Sequence, residues 1–279
     1  MASSLTQPTR AHGASIHEVS AKAAATHIIE EANYTKLAIT AKTYPDLSCE
    51  QRPSDSHMIE RIWRSFNEHG GQFISIAQIH SSIVFSRYKD RTMVAVRGPE
   101  TRATPCEFPP GALEFFGIEF KPGVFLLDFP AFKAADRNDI NLPLATYRSF
   151  WIGSAAWEIP TFENVDIFVH RLAREGLLVH NPLVEAILTG KSVHLSQRTM
   201  QRQLAQATGL TLNAFRQIER ARKATILLKQ NLSAQEVAFE LGFFDQAHMI
   251  RSLHRFIGLT PSRIADSSRT ERLSFLYNN

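Results

Sequence analysis

The chain has 279 residues, of which 44% are hydrophobic and 21% are charged, and its formal net charge is +4. This composition is typical of a globular protein of one or two domains and excludes a disordered or fibrous chain. Its two cysteines, Cys49 and Cys106, are too few for a disulfide framework or a cysteine-ligated zinc site, and no stretch has the character of a signal peptide or a membrane span. We therefore expect a soluble, cytoplasmic protein without a membrane partner.

The first half of the chain predicts β-structure. Residues 1–33 lack Phe, Tyr and Trp, so we expect a mobile tail there, with a short helix near residues 19–29. From 34 to 160, runs of β-type residues are separated by Gly and Pro, a pattern typical of a small sandwich or barrel. The clearest predicted strands are 73–77, 82–88, 93–96 and 113–120. The predicted core residues are Trp63, Phe73, Phe85, Phe115, Phe116, Ile118 and Phe120.

The second half predicts helices from residue 161 to about residue 265. Thr161 is placed to cap a connecting helix within 161–178, and further helices form a domain over 179–268, followed by a tail at 269–279. Start signals stand at Pro182, Ser196, Thr211, Ser233, Asp245 and Thr260, and stop signals at Gly176, Gly190, Gly209, Gly242 and Gly258. The expected fold class is α+β, a β-rich N-terminal domain followed by an all-α domain.

Positive charge is concentrated in these helices. Residues 195–268 hold ten Lys/Arg and five Asp/Glu, a net charge of +5, so the remaining residues sum to −1. This asymmetry indicates a polyanionic partner for the C-terminal quarter.

One helix, with its stop signal, is repeated at a constant offset of 49 residues. RQLAQATGLT begins at Arg202 and RSLHRFIGLT begins at Arg251. In each copy the apolar side chains share one helix face and the polar or cationic side chains occupy the opposite face. Each copy is therefore predicted to pack on the protein through its apolar face and to expose hydrogen-bonding groups on the opposite face.

These helices have the chemistry of base readers. An α-helix fits the major groove of DNA, where Arg pairs with guanine and Gln with adenine. The helix at 233–241, its turn and the following helix have the lengths of a helix-turn-helix, whereas the turn of the first copy, 190–195, is longer. The predicted DNA-binding residues are Gln197, Arg198, Gln201 and Arg202 in the first copy and Ala247, His248, Arg251 and Arg255 in the second.

A long helix at 212–229 connects the two readers. At about 1.5 Å per residue it spans roughly 27 Å, and one turn of DNA advances roughly 34 Å. A rigid connector of this length predicts that one chain reads a bipartite site on double-stranded DNA.

The last third of the chain resembles the AraC/XylS family of bacterial transcriptional regulators. The resemblance is carried by TMQRQLAQATGLT, IERARKATILL and SAQEVAFELGFFDQAHMIRSLHRFIGLTPSRI. It implies two helix-turn-helix units joined by a long helix, in which Arg198, Gln201 and Arg202 read bases and Ala247, His248 and Arg251 occupy the equivalent face. Ala247 cannot hydrogen-bond through its side chain, so the second unit is expected to read fewer base edges.

The region 34–160 resembles the family's cupin-like sensor or dimerisation domains, through GIEFKPGVFL and DIFVHRLAREGLL. This resemblance implies a transcription factor under the control of a small-molecule effector. It also allows a homodimer, and RNA polymerase as a partner if the protein is an activator. A second hypothesis makes this region an oligomerisation module that binds no ligand.

The alternative function is an enzyme of the DNA-repair alkyltransferase type, which carries the same DNA-binding module. Cys106 lacks the His-Arg that follows the nucleophile in that motif, and no other catalytic signature occurs, so we expect no enzyme and no cofactor. His57, His69 and His80 match no metal-ligand spacing, so no metal is expected.

For the aromatic residues of the turn and the cations of the connector, we expect roles other than base reading. Phe243 and Phe244 are predicted to pack under their turn. The connector cations Arg216, Arg220, Arg222 and Lys223 are predicted to combine phosphate contacts with ordinary solvation.

Overall fold

A computed structural model describes residues 47–67, 71–89, 91–108, 113–137, 139–188 and 191–266. The predicted tails at 1–33 and 269–279, the helix near 19–29 and His69 lie outside these residues. In the described part, a β-rich region is followed by a helical region, so the expected fold class is confirmed.

The β-rich region consists of antiparallel strands in four sheets. The largest sheet has six strands in the order β1-β2-β7-β4-β5-β9, and the smaller ones are β10-β11-β12, β13-β8 and β3-β6. The strands are β1 Leu47–Arg52, β2 Ile59–Asn67, β3 Gly71–Ser75, β4 Ser82–Tyr88, β5 Arg91–Arg97, β6 Thr104–Phe108, β7 Leu113–Phe120, β8 Val124–Leu126, β9 Ile140–Leu142, β10 Leu144–Thr146, β11 Ser149–Ile152, β12 Ala155–Glu158 and β13 Leu178–His180.

Alternation along the central strands places one face of the large sheet in the core. Ile62, Ile118 and Ile83 lie side by side on β2, β7 and β4, and each is fully buried. Trp63 points to the other face and lies over Gly117, where an added Cβ would approach the indole to 2.2 Å. Gly117 therefore leaves the space that the buried indole needs.

The predicted core is confirmed for most of its members. Trp63, Phe85, Ile118 and Phe120 are buried, and Phe116 packs against the same cluster. Phe73 and Phe115 are only half-buried, because bulk alone does not say which face of a strand a side chain occupies.

Two local predictions near the end of this region are wrong. The connecting helix begins after Asn164 rather than Thr161, whose backbone N–H donates to the Asn164 side chain at 2.8 Å. Residues 178–180, expected in a helix, form β13, because they pair with β8. Four apolar side chains of the connecting helix pack on the main core.

The helices of the second half follow the predicted signals closely. The described helices are α1 Ala131–Ala134, α2 Val165–Arg174, α3 Pro182–Leu188, α4 Gln197–Thr208, α5 Leu212–Lys229, α6 Ala234–Glu240, α7 Gln246–Phe256 and α8 Pro261–Ala265. Side chains of Ser196, Thr211, Ser233 and Asp245 each accept a backbone hydrogen bond at the N-terminus of α4, α5, α6 and α7, respectively.

The β-rich region docks directly on the end of α7. Two loops, 76–79 and 100–103, hereafter the docking loops, are joined to each other through Gln78 and Glu100. The Ala77 N–H donates to the Phe256 carbonyl and the Ala103 N–H donates to the Arg255 carbonyl, both at 2.8 Å. Because the last carbonyls of a helix have no partner within the helix, these bonds cap α7.

The apolar part of the first docking loop extends the core of the helical region. Ile76, Ala77 and Ile79 are buried in one cluster with side chains of α5 and α7. Burial of apolar surface stabilises such a contact by roughly 25 cal/mol per Å². The first docking loop therefore connects two strands of the β-rich region, but its side chains pack in the core of the helical region.

A second contact between the two regions lies at the end of α4. Gly209 has φ +72°, and a Cβ there would lie 2.7 Å from the Ala131 carbonyl oxygen at α1. Its counterpart in the repeat, Gly258, faces Ile74 and Ala103. Both repeated helices thus end against the β-rich region.

A buried carboxylate of the large sheet, that of Glu119, also interacts with the helical region. Glu119 on β7 is 4% exposed, and Arg61 Nε donates to its Oε2 at 2.7 Å. Burial alone would raise the pKa of Glu119, but the positive charge of Arg61, the hydrogen bond from Arg61 and the charge of Arg222 help to lower that pKa below its ordinary value. Arg222 belongs to α5, so the carboxylate electrostatically links the sheet to the helical region.

We expect Gly209→Ala to lower the free energy of unfolding more than Gly242→Ala. Both glycines have positive φ, +72° and +63°, so alanine is strained at either position by about 1 kcal/mol. Only the Gly209 variant also meets backbone of the β-rich region, and such overpacking costs about 1–3 kcal/mol. Urea unfolding midpoints of the two variants measure the difference, and equal losses would show that the added methyl group is accommodated at Gly209 without overpacking.

We expect Glu119→Gln to weaken the acid dependence of stability. A carboxyl group with a lowered pKa contributes stability above its ordinary pKa of about 4.3 and loses it as the pH falls through the lower folded value. The variant should be less stable by about 1–3 kcal/mol near neutral pH, because Arg61 loses the negative charge of its ion-pair partner. Its urea midpoint should also change less than that of the wild type below about pH 4.5.

The control for this variant is Glu114→Gln, on the same strand, whose ion pair with Arg87 is exposed. The control should follow the wild-type pH profile. The role of Glu119 is refuted if the two variants have the same profile.

Candidate nucleic-acid interface

The second helix-turn-helix consists of α6, residues 241–245 and α7. Ser233 and Glu236 form a capping box at the start of α6. Arg220 of α5 donates to the Gly242 carbonyl at 3.3 Å, and its guanidinium lies 5.3 Å from the Phe243 ring centroid. The connector helix therefore holds the turn in place.

The outer face of α7 presents the predicted readers to solvent. Met249, Leu253 and Phe256 are buried on the inner face. Ala247, Arg251 and Arg255 are exposed and His248 is half-buried. The division of faces predicted from the helical period is thus found in the folded chain.

The side chain of His248 is held by its own turn. The Phe244 N–H donates to Nδ1 of His248 at 3.4 Å, and the Phe243 ring packs edge-on against the imidazole at 5.5 Å. With Nδ1 accepting, the proton of the neutral ring is on Nε2, which makes His248 a hydrogen-bond donor at its outer edge.

The first unit presents its readers in the same way. Gln197, Arg198, Gln201 and Arg202 are all exposed on α4. Leu204 and Ala207 are buried against Val184 of α3. Residues 191–196 precede α4 and lie outside any helix, so the longer turn predicted for this unit is confirmed.

Sequence reasoning missed one exposed side chain and misplaced another. His254 lies one turn beyond Arg251 on the outer face of α7 and is exposed; the spacing 247, 251, 254 carried that signal. Phe243 is buried as expected, but Phe244 is 92% exposed, so its predicted packing under the turn is wrong. The space beneath the turn holds one aromatic ring, that of Phe243.

Two connector cations have structural contacts in place of simple solvation. Arg220 holds the turn as described above. Arg222 donates to the Ala77 carbonyl at 3.4 Å and lies 3.5 Å from a Glu219 carboxylate oxygen. Their predicted role in phosphate contact and solvation is therefore incomplete, because charge composition does not show whether a long side chain turns inward.

The β-rich region contains an open cleft of about 850 Å³ at one end of the large sheet. Its floor is aromatic: Phe85 and Phe116 are stacked at 5.2 Å, and Phe162 meets Phe116 edge-on at 6.2 Å. Arg64 lies 4.5 Å over the Phe162 ring and pairs with Glu50. A volume of this size suits a small organic ligand.

Charges at the rim of this cleft are largely paired. Arg87 pairs with Glu114, and Arg64 pairs with Glu50. Arg148 is exposed, and no ion-pair partner is seen for it within the described ranges. Among the described residues, the cleft therefore combines an apolar floor with one cation, Arg148, that is outside these ion pairs.

Metal and membrane features are absent from the described residues. No cluster of three or more His, Cys, Asp or Glu is arranged there to hold a metal ion. His80 is buried with its Nδ1 2.9 Å from the Phe120 carbonyl, and His57 packs against His180. No helix in the part of the chain that the structure describes could span a membrane.

The family comparison agrees with the geometry of the helical region. Residues 190–267 match the family model described as a helix-turn-helix domain, a match that includes α4 to α8 but not α3. A solved structure of ToxT from Vibrio cholerae is similar at 7% sequence identity with a TM-score of 0.35, over 78% of this chain and 97% of that chain. No curated protein matches the sequence.

The matched range holds both repeated helices, their connector and the second complete helix-turn-helix. This chain is therefore a DNA-binding transcription regulator with a helix-turn-helix domain of the AraC type at residues 190–267.

Proposed function

We propose that the protein reads a bipartite DNA site with α4 and α7. The observation that carries this proposal is the repetition itself: the two helices are capped at equivalent residues, bury equivalent side chains and expose their polar faces. Between them α5 runs for 18 residues, about 27 Å, which is close to one turn of DNA.

The proposed base readers are the exposed residues of the two helices. In the first unit they are Gln197, Arg198, Gln201 and Arg202, and in the second Ala247, His248, Arg251 and Arg255. Arginine and glutamine are suited to paired hydrogen bonds with guanine and adenine, respectively. A site read in this way has one half that contacts α4 and another that contacts α7.

We expect Arg202→Ala and Arg251→Ala to relax specificity in different halves of the site. Each variant should lose about 1–3 kcal/mol of operator affinity, and the loss should be confined to the base pairs that one helix contacts. The preferred site is first selected from random DNA with the full chain and mapped by footprinting. Arg174→Ala, an exposed arginine on α2, serves as the control.

A loss of affinity that is the same for every DNA sequence would assign either arginine to a phosphate contact. If both variants lose specificity at the same base pairs, the bipartite site is refuted.

We also infer that a small-molecule effector bound in the cleft controls DNA binding. This inference is supported by the chain of contacts between the two regions. Strand β7 carries Glu114 and Phe116 at the cleft, and Glu119 at its other end, next to the positive charge of Arg222. A ligand that shifts this strand would displace Glu119, which interacts electrostatically with Arg222 of α5.

The chemistry of the cleft favours an effector with an apolar body and an anionic group. The body would lie on the phenylalanine floor and the anion would face Arg148. Aromatic and aliphatic carboxylic acids are therefore the first compounds to test.

We expect one or more of these acids to raise the thermal midpoint of the wild type and to change its operator Kd by at least about fivefold, a typical allosteric coupling. Thr92→Trp, which fills the cleft from β5, should abolish both effects. Met93→Trp, on the opposite face of the same strand, is the matched control. If none of these acids changes the thermal midpoint or the operator Kd, the oligomerisation module, which binds no ligand, is favoured instead.

A further inference from the structure

Phe244 occupies an unusual place for an exposed aromatic ring. It immediately precedes Asp245, the N-cap of α7, and is 92% exposed. An apolar residue at this position commonly packs on the fourth residue of the helix. Here that residue is Met249, which is fully buried, while the ring of Phe244 remains in solvent. Within the part of the chain that the structure describes, this ring thus packs against almost nothing.

The repeat places a second exposed apolar side chain at the equivalent position. Leu195 precedes Ser196, the N-cap of α4, lies 49 residues before Phe244, and is 41% exposed. The first residues of a reading helix are the ones that approach base edges. Both side chains therefore stand where each helix would enter the DNA groove.

The row of residues beside Phe244 is apolar as well. Ala247 and Ile250, at three-residue steps along α7, are exposed, Ile250 at 36%. The equivalent positions on α4 are the polar Arg198 and Gln201. The two helices thus share a scaffold but differ in chemistry on the edge that follows the N-cap.

We propose that Phe244 contacts the methyl group of a thymine in the second half-site, with Leu195 as its smaller counterpart in the first. The 5-methyl of thymine is the apolar group that the major groove exposes, and apolar side chains read it by contact. This assignment rests on the proposed bipartite function. It gives the second unit a means of reading sequence where Ala247 and Ile250 cannot form hydrogen bonds.

The test uses the full chain and its selected operator, in which each thymine of the second half-site is replaced in turn by deoxyuridine, which lacks only the methyl. For the wild type we expect one replacement to weaken binding about fourfold, the effect of one buried methyl group. Phe244→Ala should bind the thymine operator about as weakly as the wild type binds that uracil operator. The variant should also be insensitive to the replacement.

Phe239→Ala is the matched control. Phe239 lies on α6, is 89% exposed and does not precede a reading helix. This variant should keep the full sensitivity to the methyl group. Equal methyl sensitivity in the wild type and in Phe244→Ala would overturn the proposal, as would a selected second half-site without thymine.

A parallel measurement with Arg251→Ala separates this proposal from the proposed function. If Arg251→Ala changes the second half-site but Phe244→Ala has no effect on DNA binding, the bipartite function stands and the thymine contact is wrong. If Phe244→Ala leaves operator binding intact but impairs transcription, the ring contacts a protein and the proposal is overturned.

Discussion

The arrangement of the molecule depends on how the end of α7 is capped. A helix that stops inside a protein leaves its last carbonyl groups without hydrogen bonds, and burying them unpaired is costly. In this chain the partners are backbone N–H groups of Ala77 and Ala103, which belong to the β-rich region. The hydrogen bonding of α7 is thus completed by a part of the chain more than 150 residues away in sequence.

The end of α4 also lies against the β-rich region, in this case through close packing of the backbone. Gly209 brings the end of α4 so close to Ala131 that a methyl group would not fit. With Gly258 against Ile74 and Ala103, both repeated glycines end a helix and also form an inter-region contact. The ends of α4 and α7 are therefore both in close contact with the β-rich region.

Strand β7 extends from the cleft to the residues that face the helical region. β7 lines the cleft with Glu114 and Phe116 and carries Glu119 near its other end, where Arg61 and Arg222 supply positive charge. Arg222 also donates to the first docking loop at Ala77. Packed interiors transmit small displacements because they contain little free space. The cleft is therefore connected by β7 to Glu119, and Glu119 is linked to the connector helix by its electrostatic interaction with Arg222.

The amino-acid sequence by itself determined the helices and the faces of the C-terminal region. Caps such as Ser196, Ser233 and Asp245 act within a few residues, and the helical period assigns buried and exposed sides locally, so these features could be predicted. Tertiary structure decided what depends on distant partners: β13 forms because β8 pairs with it, and Phe244 is exposed because Phe243 fills the space beneath the turn. The docking of residues 76–79 on α7 was likewise beyond local pattern, since the groups that meet there are remote in sequence and carry no shared periodic signal.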